Sequence, residues 1–81
     1  MIRHIPNKYT VSSFLDEINV EFKNKYDVFY LPIDFQNKCN LGFAFINFID
    51  PMHLILFYDR YRGKKWQKFK SEKVFLIYVD L

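Results

Sequence analysis

The stretch that most constrains the fold is Leu41–Phe48, which reads Leu-Gly-Phe-Ala-Phe-Ile-Asn-Phe. In a β-strand, successive side chains point to opposite faces of the sheet. One face would then receive Phe43, Phe45 and Asn47, and the other would receive Ala44, Ile46 and Phe48. If helices cover the second face, two phenyl rings remain side by side on the first, and exposed apolar patches of this kind often mark interaction sites. The alternative is a strand that is buried on both faces.

Turn and cap residues divide the first part of the chain into two further elements. Met1–Ile5 is predicted as a short strand that ends at Pro6, because proline has no N–H to donate to a ladder. Thr10 is a suitable N-cap for a helix, since its hydroxyl can accept a bond from an otherwise unpaired backbone N–H. Apolar residues then recur at helical spacing from about Val11 to Lys23.

The second part of the chain contains three more elements besides the central strand. Tyr26–Ile33 is rich in strand-forming residues, and Pro32 near its end favours an edge position. Asp50-Pro51 is a typical helix start, and Gly63 suits the left-handed residue after the last helical turn. Val74–Leu81 is predicted as the last strand.

The order strand, helix, strand, strand, helix, strand predicts an α+β fold, the ferredoxin-like βαββαβ sandwich, for a single domain that spans residues 1–81. Right-handed crossovers place both helices on one face of a four-stranded antiparallel sheet. Two helices can cover only one face, which disfavours a central strand buried on both sides. We therefore expect the functional surface on the open face of the sheet.

The same alternation predicts which residues of the other strands share the open face. Met1 and Arg3 should lie there, while His4 should face the core as a hydrogen-bonded histidine. Tyr30 should point outward, since its two neighbours are apolar and suit the core. On the last strand we expect Phe75, Ile77 and Val79 to face outward and Leu76 and Tyr78 to face inward.

Basic residues are concentrated late in the chain. The net charge is only +3, but 7 of the 12 Lys and Arg residues lie between Arg60 and Lys73, with Glu72 as the one acid among them. The lysines of this predicted loop are too dense to pair with local acids, and they are Lys64, Lys65, Lys68, Lys70 and Lys73. Trp66 and Phe69 should attach the loop to the domain. Lysines and rings together are what a single-stranded nucleic-acid binder needs, although a lysine-rich loop can also serve solubility alone.

Gly42–Phe48 resembles the third-strand signature of the RNA-recognition motif, in which two aromatic side chains stack on bases. Leu41 departs from the signature, which has a lysine or arginine at that position. The resemblance implies that Phe43 and Phe45 are the stacking rings. The first strand of most such domains supplies a third ring, and Met1 occupies that position here.

The chain also resembles, over its whole length, the C-terminal RNA-recognition motif of the Mei-two-like proteins. The segments that carry this resemblance are Ile5–Thr10, Tyr26-Asp27, Leu31–Phe35, Asn37–Asn40, Gly63–Trp66, Lys68-Phe69 and Ser71–Val74. It implies an RNA-binding domain excised from a longer regulator of meiosis and differentiation, acting in the nucleus and cytoplasm.

The expected function is the binding of single-stranded RNA on the open sheet face, with lysines along its rim. The expected RNA-binding residues are Phe43, Phe45, Tyr30, Arg3, Met1, Asn47, Ile77, Lys8, Lys38, Lys64 and Lys65. The open face would also be strongly apolar, so a segment beyond Leu81 could cover it. A further alternative is a protein partner or self-association through the same face.

Other function classes are disfavoured by the residue inventory. His4 and His53 have no carboxylate at a diagnostic spacing, and Cys39 is the only cysteine, so we expect neither an enzyme nor a metal site. Only two glycines are present, which leaves no phosphate-binding glycine loop. We expect no cofactor and no small-molecule substrate, and we expect no membrane partner because no apolar run reaches spanning length.

Overall fold

The computed structural model describes residues 1–79 and contains a four-stranded antiparallel sheet with two helices. Its elements in chain order are β1 (Ile2–Arg3), α1 (Val11–Phe22), β2 (Tyr26–Tyr30), β3 (Phe43–Phe48), α2 (Pro51–Tyr61) and β4 (Leu76–Ile77). The strand order across the sheet is β2-β3-β1-β4, so β2 lies at an edge as predicted. The predicted α+β ferredoxin-like fold is confirmed. The strands are shorter than expected, and Asp80 and Leu81 of the predicted last strand lie outside the described residues.

Both helices begin at the predicted capping residues. Thr10 and Ser13 form a reciprocal capping box, in which the Ser13 N–H donates to Thr10 Oγ1 over 3.2 Å and the Thr10 N–H donates to Ser13 Oγ over 2.8 Å. Asp50 Oδ1 accepts from the Met52 N–H at 2.9 Å, with proline at the first helical position. These bonds pair backbone donors that an α-helix leaves unsatisfied at its start.

The core lies between the helices and one face of the sheet. Ile2 and Ala44 are fully buried there and are direct partners in the β1–β3 ladder. The helices contribute mainly aromatic side chains, which are Phe14 and Phe22 from α1 and Phe57 and Tyr61 from α2. Because Ala44 is buried while its neighbour Phe45 is 46% exposed, β3 is covered on one side only. The alternative of a strand buried on both faces is therefore wrong.

Residues 63–75 form a hairpin rather than an irregular loop, and we call this segment the basic hairpin. The Gly63 N–H donates to the Phe75 carbonyl over 3.0 Å, and Lys65 and Val74 form an isolated bridge. Trp66 is buried and stacks on Phe75, with ring centroids 3.6 Å apart. Trp66 also packs against Phe14 of α1, with ring centroids 5.4 Å apart, so the expectation that it would attach this segment to the domain is confirmed.

A buried polar contact ties the basic hairpin to the start of α1, and we call it the Tyr9–Glu17 latch. The Tyr9 hydroxyl donates to the Glu17 carboxylate and accepts from the Lys68 N–H at 2.9 Å. The other Glu17 oxygen accepts from the Gln67 N–H at 3.3 Å. Helical spacing places Glu17 off the apolar stripe, where solvent would be expected, but the hairpin covers it. Burial and the bond to Glu17 raise the pKa of Tyr9 above its ordinary value of 10.0.

The predicted side-chain orientations are wrong at two places, at His4 and around β4. His4 is exposed rather than in the core, because it adopts a positive φ of 68° that ends β1 and turns Ile5 inward in its place. In β4 the two faces are exchanged, since Ile77 pairs with buried Ile2 and packs against the core, while Leu76 is exposed beside Arg3. Phe75 and Tyr78 follow the same exchange, with Phe75 buried and Tyr78 exposed.

Candidate nucleic-acid interface

A row of exposed side chains, with half-buried Met1 among them, crosses the open face at the level of Phe45. Tyr30 is its direct partner on β2, and the two side chains are 59% and 46% exposed. One step along the β1–β3 ladder places Met1 on the other side of Phe45, and the Tyr78 N–H donates to the Met1 carbonyl over 2.8 Å. Tyr30, Phe45, Met1 and Tyr78 thus form what we call the Phe45 row. The predicted outward orientation of Tyr30 is confirmed.

A second row lies two residues away along β3. Arg3 pairs with Phe43 on one side and with Leu76 on the other, and we call these three residues the Phe43 row. Arg3 is exposed, as predicted, so its guanidinium lies among apolar neighbours on the open face. A planar cation in such a position suits stacking on a base or bonding to a phosphate.

The two phenyl rings contact each other edge to face. The ring centroids of Phe43 and Phe45 are 5.7 Å apart, and the ring planes meet at 80°. This is a favourable aromatic geometry, so each ring supports the other in place. Two bases that lie flat on these rings would be nearly perpendicular to each other.

Asn47 shares the open face, and its amide already has a partner. Its Nδ2 donates to Asp27 Oδ1 over 2.8 Å, across the bulge between Tyr26 and Val28. The second N–H and the side-chain oxygen of Asn47 form no bond within residues 1–79 and can meet a ligand. Asp27 adds a negative charge at this end of the sheet.

The predicted lysine rim divides into two groups. Lys8 and Lys38 are exposed in the loops that adjoin the end of the sheet where Phe43 lies. Lys64 and Lys65 instead line a cavity of about 310 Å³ on the helix side, together with Val20 of α1 and other residues of the two helices. Lys64 and Lys65 thus face the helix side, and no geometric reason remains to assign them to the open sheet face. None remains for Ile77 either, because its side chain packs against the core.

Two lysines of the basic hairpin have acidic neighbours, contrary to the prediction. Lys65 Nζ lies 3.2 Å from Glu72 Oε2, and Lys68 Nζ lies 3.9 Å from Asp16 Oδ2. Both pairs are largely solvent-exposed, so they add little to stability. They do reduce the cationic field on the helix side of the hairpin.

Comparison with known proteins shows the family to which this domain belongs. Residues 1–80 match the family described as RNA recognition motif 2. The chain belongs to this family. It is 60% identical over 74 residues to the protein MEI2-like 2 of Oryza sativa subsp. japonica, and 57% identical over 74 residues to the protein MEI2-like 4 of Arabidopsis thaliana. Each comparison covers 91% of this chain but only 9% and 8% of the relative, so the chain spans less than a tenth of either protein.

The resemblance to Mei-two-like RNA-recognition motifs is therefore confirmed, and the domain is an RNA-binding module. In this RNA-recognition motif, the open face carries the two aromatic residues of the third-strand signature at the predicted positions. No cluster of His, Cys, Asp or Glu within residues 1–79 could hold a metal ion. Neither helix of that range is long and apolar enough to cross a membrane.

Sequence reasoning missed several exposed residues of this RNA-recognition motif. Alternation along the last strand predicts Tyr78 and Leu76 in the core, because β4 has no polar residue to mark its faces. Phe35 has no predicted role, although its side chain is 95% exposed in the β2–β3 loop. The loop is organised by Asp34, whose Oδ1 accepts from the Gln36 N–H at 2.9 Å. A single aromatic residue among polar turn residues is the signal that could have identified Phe35.

Proposed function

We propose that this RNA-recognition motif binds single-stranded RNA on its open sheet face by stacking bases on Phe43 and Phe45. The observation that carries the proposal is the exposure pattern of β3, where Ala44 is fully buried and Phe45 is 46% exposed beside Tyr30. Phe43 is half-buried beside Phe45, and rings that stay accessible on a sheet with helices only behind it can serve as base platforms, because every base has a π-face.

The residues around the rings supply the remaining contacts. Tyr30 offers a second ring and a hydroxyl at the outer end of the Phe45 row, and Met1 offers a thioether on its inner side. Arg3 is placed to stack on a base or to bond a phosphate, and the free oxygen of Asn47 can accept from a base amino group. Lys38 lies at the rim for contact with the backbone.

A role in regulating meiosis and differentiation, in the nucleus and cytoplasm, is proposed for the longer protein from the resemblance to Mei-two-like proteins. The similarity to proteins named MEI2-like supports it. The domain would supply RNA affinity to that protein.

The test is the replacement of each ring by alanine, followed by titration of the folded variants with a set of short unstructured RNAs. Phe43→Ala and Phe45→Ala should each lose roughly 1–3 kcal/mol of binding free energy, or about 5- to 150-fold in affinity. Ile55→Ala is the matched control, because Ile55 is an exposed apolar residue of α2 with 54% exposure. Unchanged affinity in both ring variants would remove the stacking mechanism.

The second candidate function is protein interaction through apolar surface. A groove of about 540 Å³ runs along the edge of β4, lined mainly by apolar side chains of α2 and by Ile77, Tyr78 and Val79. This candidate predicts that light scattering reports a dimer or larger species and that added RNA leaves the NMR resonances of the sheet unmoved. An apolar interface would also resist salt, whereas phosphate contacts weaken steeply as salt rises.

A further inference from the structure

A lysine-lined cleft lies beyond the end of the sheet at which the Phe43 row is found. It has a volume of about 230 Å³ and is formed by the β1–α1 loop on one side and the tip of the basic hairpin on the other. Its lining residues are Pro6, Asn7, Lys8, Phe69, Lys70, Ser71 and Lys73. We call it the terminal cleft.

The terminal cleft is electrostatically unlike the rest of the hairpin. It has three lysines and no acidic residue in its lining, and no ion pair within residues 1–79 involves Lys8, Lys70 or Lys73. The helix-side cavity, by contrast, includes Asp16, Glu17 and Glu21 beside its lysines. Glu72 lies in the chain between the lining residues Ser71 and Lys73, but it is paired with Lys65, so the lysines of the terminal cleft keep a net positive charge for an anion.

Strand connectivity places this cleft next to the proposed stacking surface. β1 ends at Arg3, which pairs with both Phe43 and Leu76, so β3 and β4 begin at the same level. Beyond that level the Ile5 N–H donates to the Gly42 carbonyl over 3.2 Å, and the chain then enters the cleft at Pro6. A strand that crosses the Phe43 row toward this end meets the lysines next.

Two sets of buried contacts hold the cleft walls in place. Asn40 donates from Nδ2 to the carbonyls of Pro6 and Tyr9, over 2.9 and 3.0 Å. The Tyr9–Glu17 latch fixes the hairpin, and the Phe69 ring packs on Tyr9 with a centroid separation of 5.1 Å. Lysines on fixed walls bind an anion at a lower entropy cost than lysines on free loops.

We propose that the terminal cleft binds a phosphate group of the RNA strand as the strand leaves the sheet past Phe43. The inference rests on the proposed function for the direction of the strand. It assigns phosphate contact to Lys8, Lys70 and Lys73, and it excludes the hairpin lysines of the helix side from the RNA path.

Two triple variants, one on each side of the basic hairpin, test this assignment. Lys8→Gln, Lys70→Gln and Lys73→Gln together remove the three charges of the cleft. Lys64→Gln, Lys65→Gln and Lys68→Gln together remove three charges from the helix side, and glutamine keeps similar side-chain bulk in both. Circular dichroism first verifies that each variant is folded. RNA affinity is then measured as a function of salt concentration. If a triple variant unfolds, the three single variants replace it.

The cleft variant should weaken binding to all the RNAs by a similar factor and reduce the slope of log K against log salt by about 0.7, the contribution of one phosphate contact on a single strand. The helix-side variant should keep nearly the full slope. Equal slopes in the two variants would overturn the inference, whatever the result for the ring variants. A reduced slope in the cleft variant alongside unchanged affinity in Phe43→Ala and Phe45→Ala would instead remove stacking and keep the cleft.

RNAs that carry a neutral methylphosphonate at one linkage locate the contact. In the wild-type domain, neutralising one linkage near the end of the bound segment should weaken binding more than the others. In the cleft variant, neutralising that linkage should weaken binding no more than neutralising any other, because the lysines that would contact its phosphate have been replaced. Persistence of the same position-dependent loss in the cleft variant would refute the assignment.

Discussion

At the scale of single residues, Asn40 links the two loops that frame the end of the sheet. It is buried, donates to the carbonyls of Pro6 and Tyr9, and accepts from the Gly42 N–H at 2.7 Å. Its three bonds join the start of β3 to the loop that enters α1. No apolar side chain could satisfy these backbone groups.

Asn40→Ala is expected to lower the free energy of unfolding by roughly 1–3 kcal/mol, because it leaves buried backbone groups without partners. Urea unfolding monitored by circular dichroism measures the change. Asn37→Ala is the comparison, since Asn37 is exposed in the same loop and bonds only to Asp34. If the two variants had equal free energies of unfolding, the Asn40 bonds would make no specific contribution to stability.

Phe35 is the most exposed aromatic residue among residues 1–79. An aromatic ring that is 95% exposed gains nothing from the core. Phe35→Ala is expected to leave the thermal midpoint unchanged and to weaken RNA binding about 5-fold or more, as the loss of one base stack would. Wild-type affinity in this variant would show that the ring has no part in RNA binding.

The residues that sequence could place are those whose neighbours differ from them in polarity or size. Phe43 and Phe45 alternate with Ala44 and Ile46, so the faces of β3 followed from the sequence. His4 could not be placed, because a positive φ at a histidine depends on the chain turning toward Pro6 rather than on any local pattern.

At the scale of elements, the helices were predictable and the outer strands were not. Thr10 and Asp50 are capping residues with a local mechanism, and both caps are present. Residues 74–79 are all apolar, so neither face of β4 is marked in the sequence. The stacking of Trp66 on Phe75 turns Phe75 inward, and this contact between the arms of the hairpin could not be derived from local spacing.

The basic hairpin is held by a contact that depends on a protonated tyrosine. Burial raises the pKa of Tyr9, helped by the bond to Glu17, and burial is also the largest cause that raises the pKa of Tyr61. As pH rises above the ordinary value of 10.0, the unfolded chain loses these protons before the folded one. The stability they contribute is therefore fully present below that pH and is lost above it.

Urea unfolding between about pH 8 and about pH 11 should accordingly show a falling free energy of unfolding at the alkaline end. Tyr9→Phe should be less stable near neutrality, because it loses the bonds to Glu17 and Lys68, but its stability should fall less steeply with pH. The double variant with Tyr61→Phe should be flatter still. An unchanged alkaline slope in both variants would show that other groups cause the loss.

At the scale of the whole molecule, the two ends of the sheet differ in charge. Lys38 and the three lysines of the terminal cleft lie at the end where Phe43 lies and outnumber Asp34 and Glu72 of the same loops, whereas Asp27 and Asp50 lie at the other end together with Lys25. A polyanion should therefore be drawn to the first end. The lysine content of this region was predictable, but its division between two sides required the folded hairpin.

An NMR titration with RNA tests this layout over the domain. Resonances of Phe43, Phe45, Tyr30 and Lys8 should move, while those of exposed α-helical residues such as Val20 and Leu56 should not. Shifts concentrated on the helices would contradict both the stacking surface and the terminal cleft.

The edge-to-face contact of Phe43 and Phe45 also bears on which nucleic acids can bind. Neighbouring nucleotides seated on the two rings cannot remain stacked on one another, so the backbone must bend sharply where it crosses β3. In a duplex the base pairs are stacked in parallel without interruption, so a duplex would have to melt before it could follow that bend. With bases stacked as we propose, the angle between the two side chains would select against paired RNA without contact to any second strand.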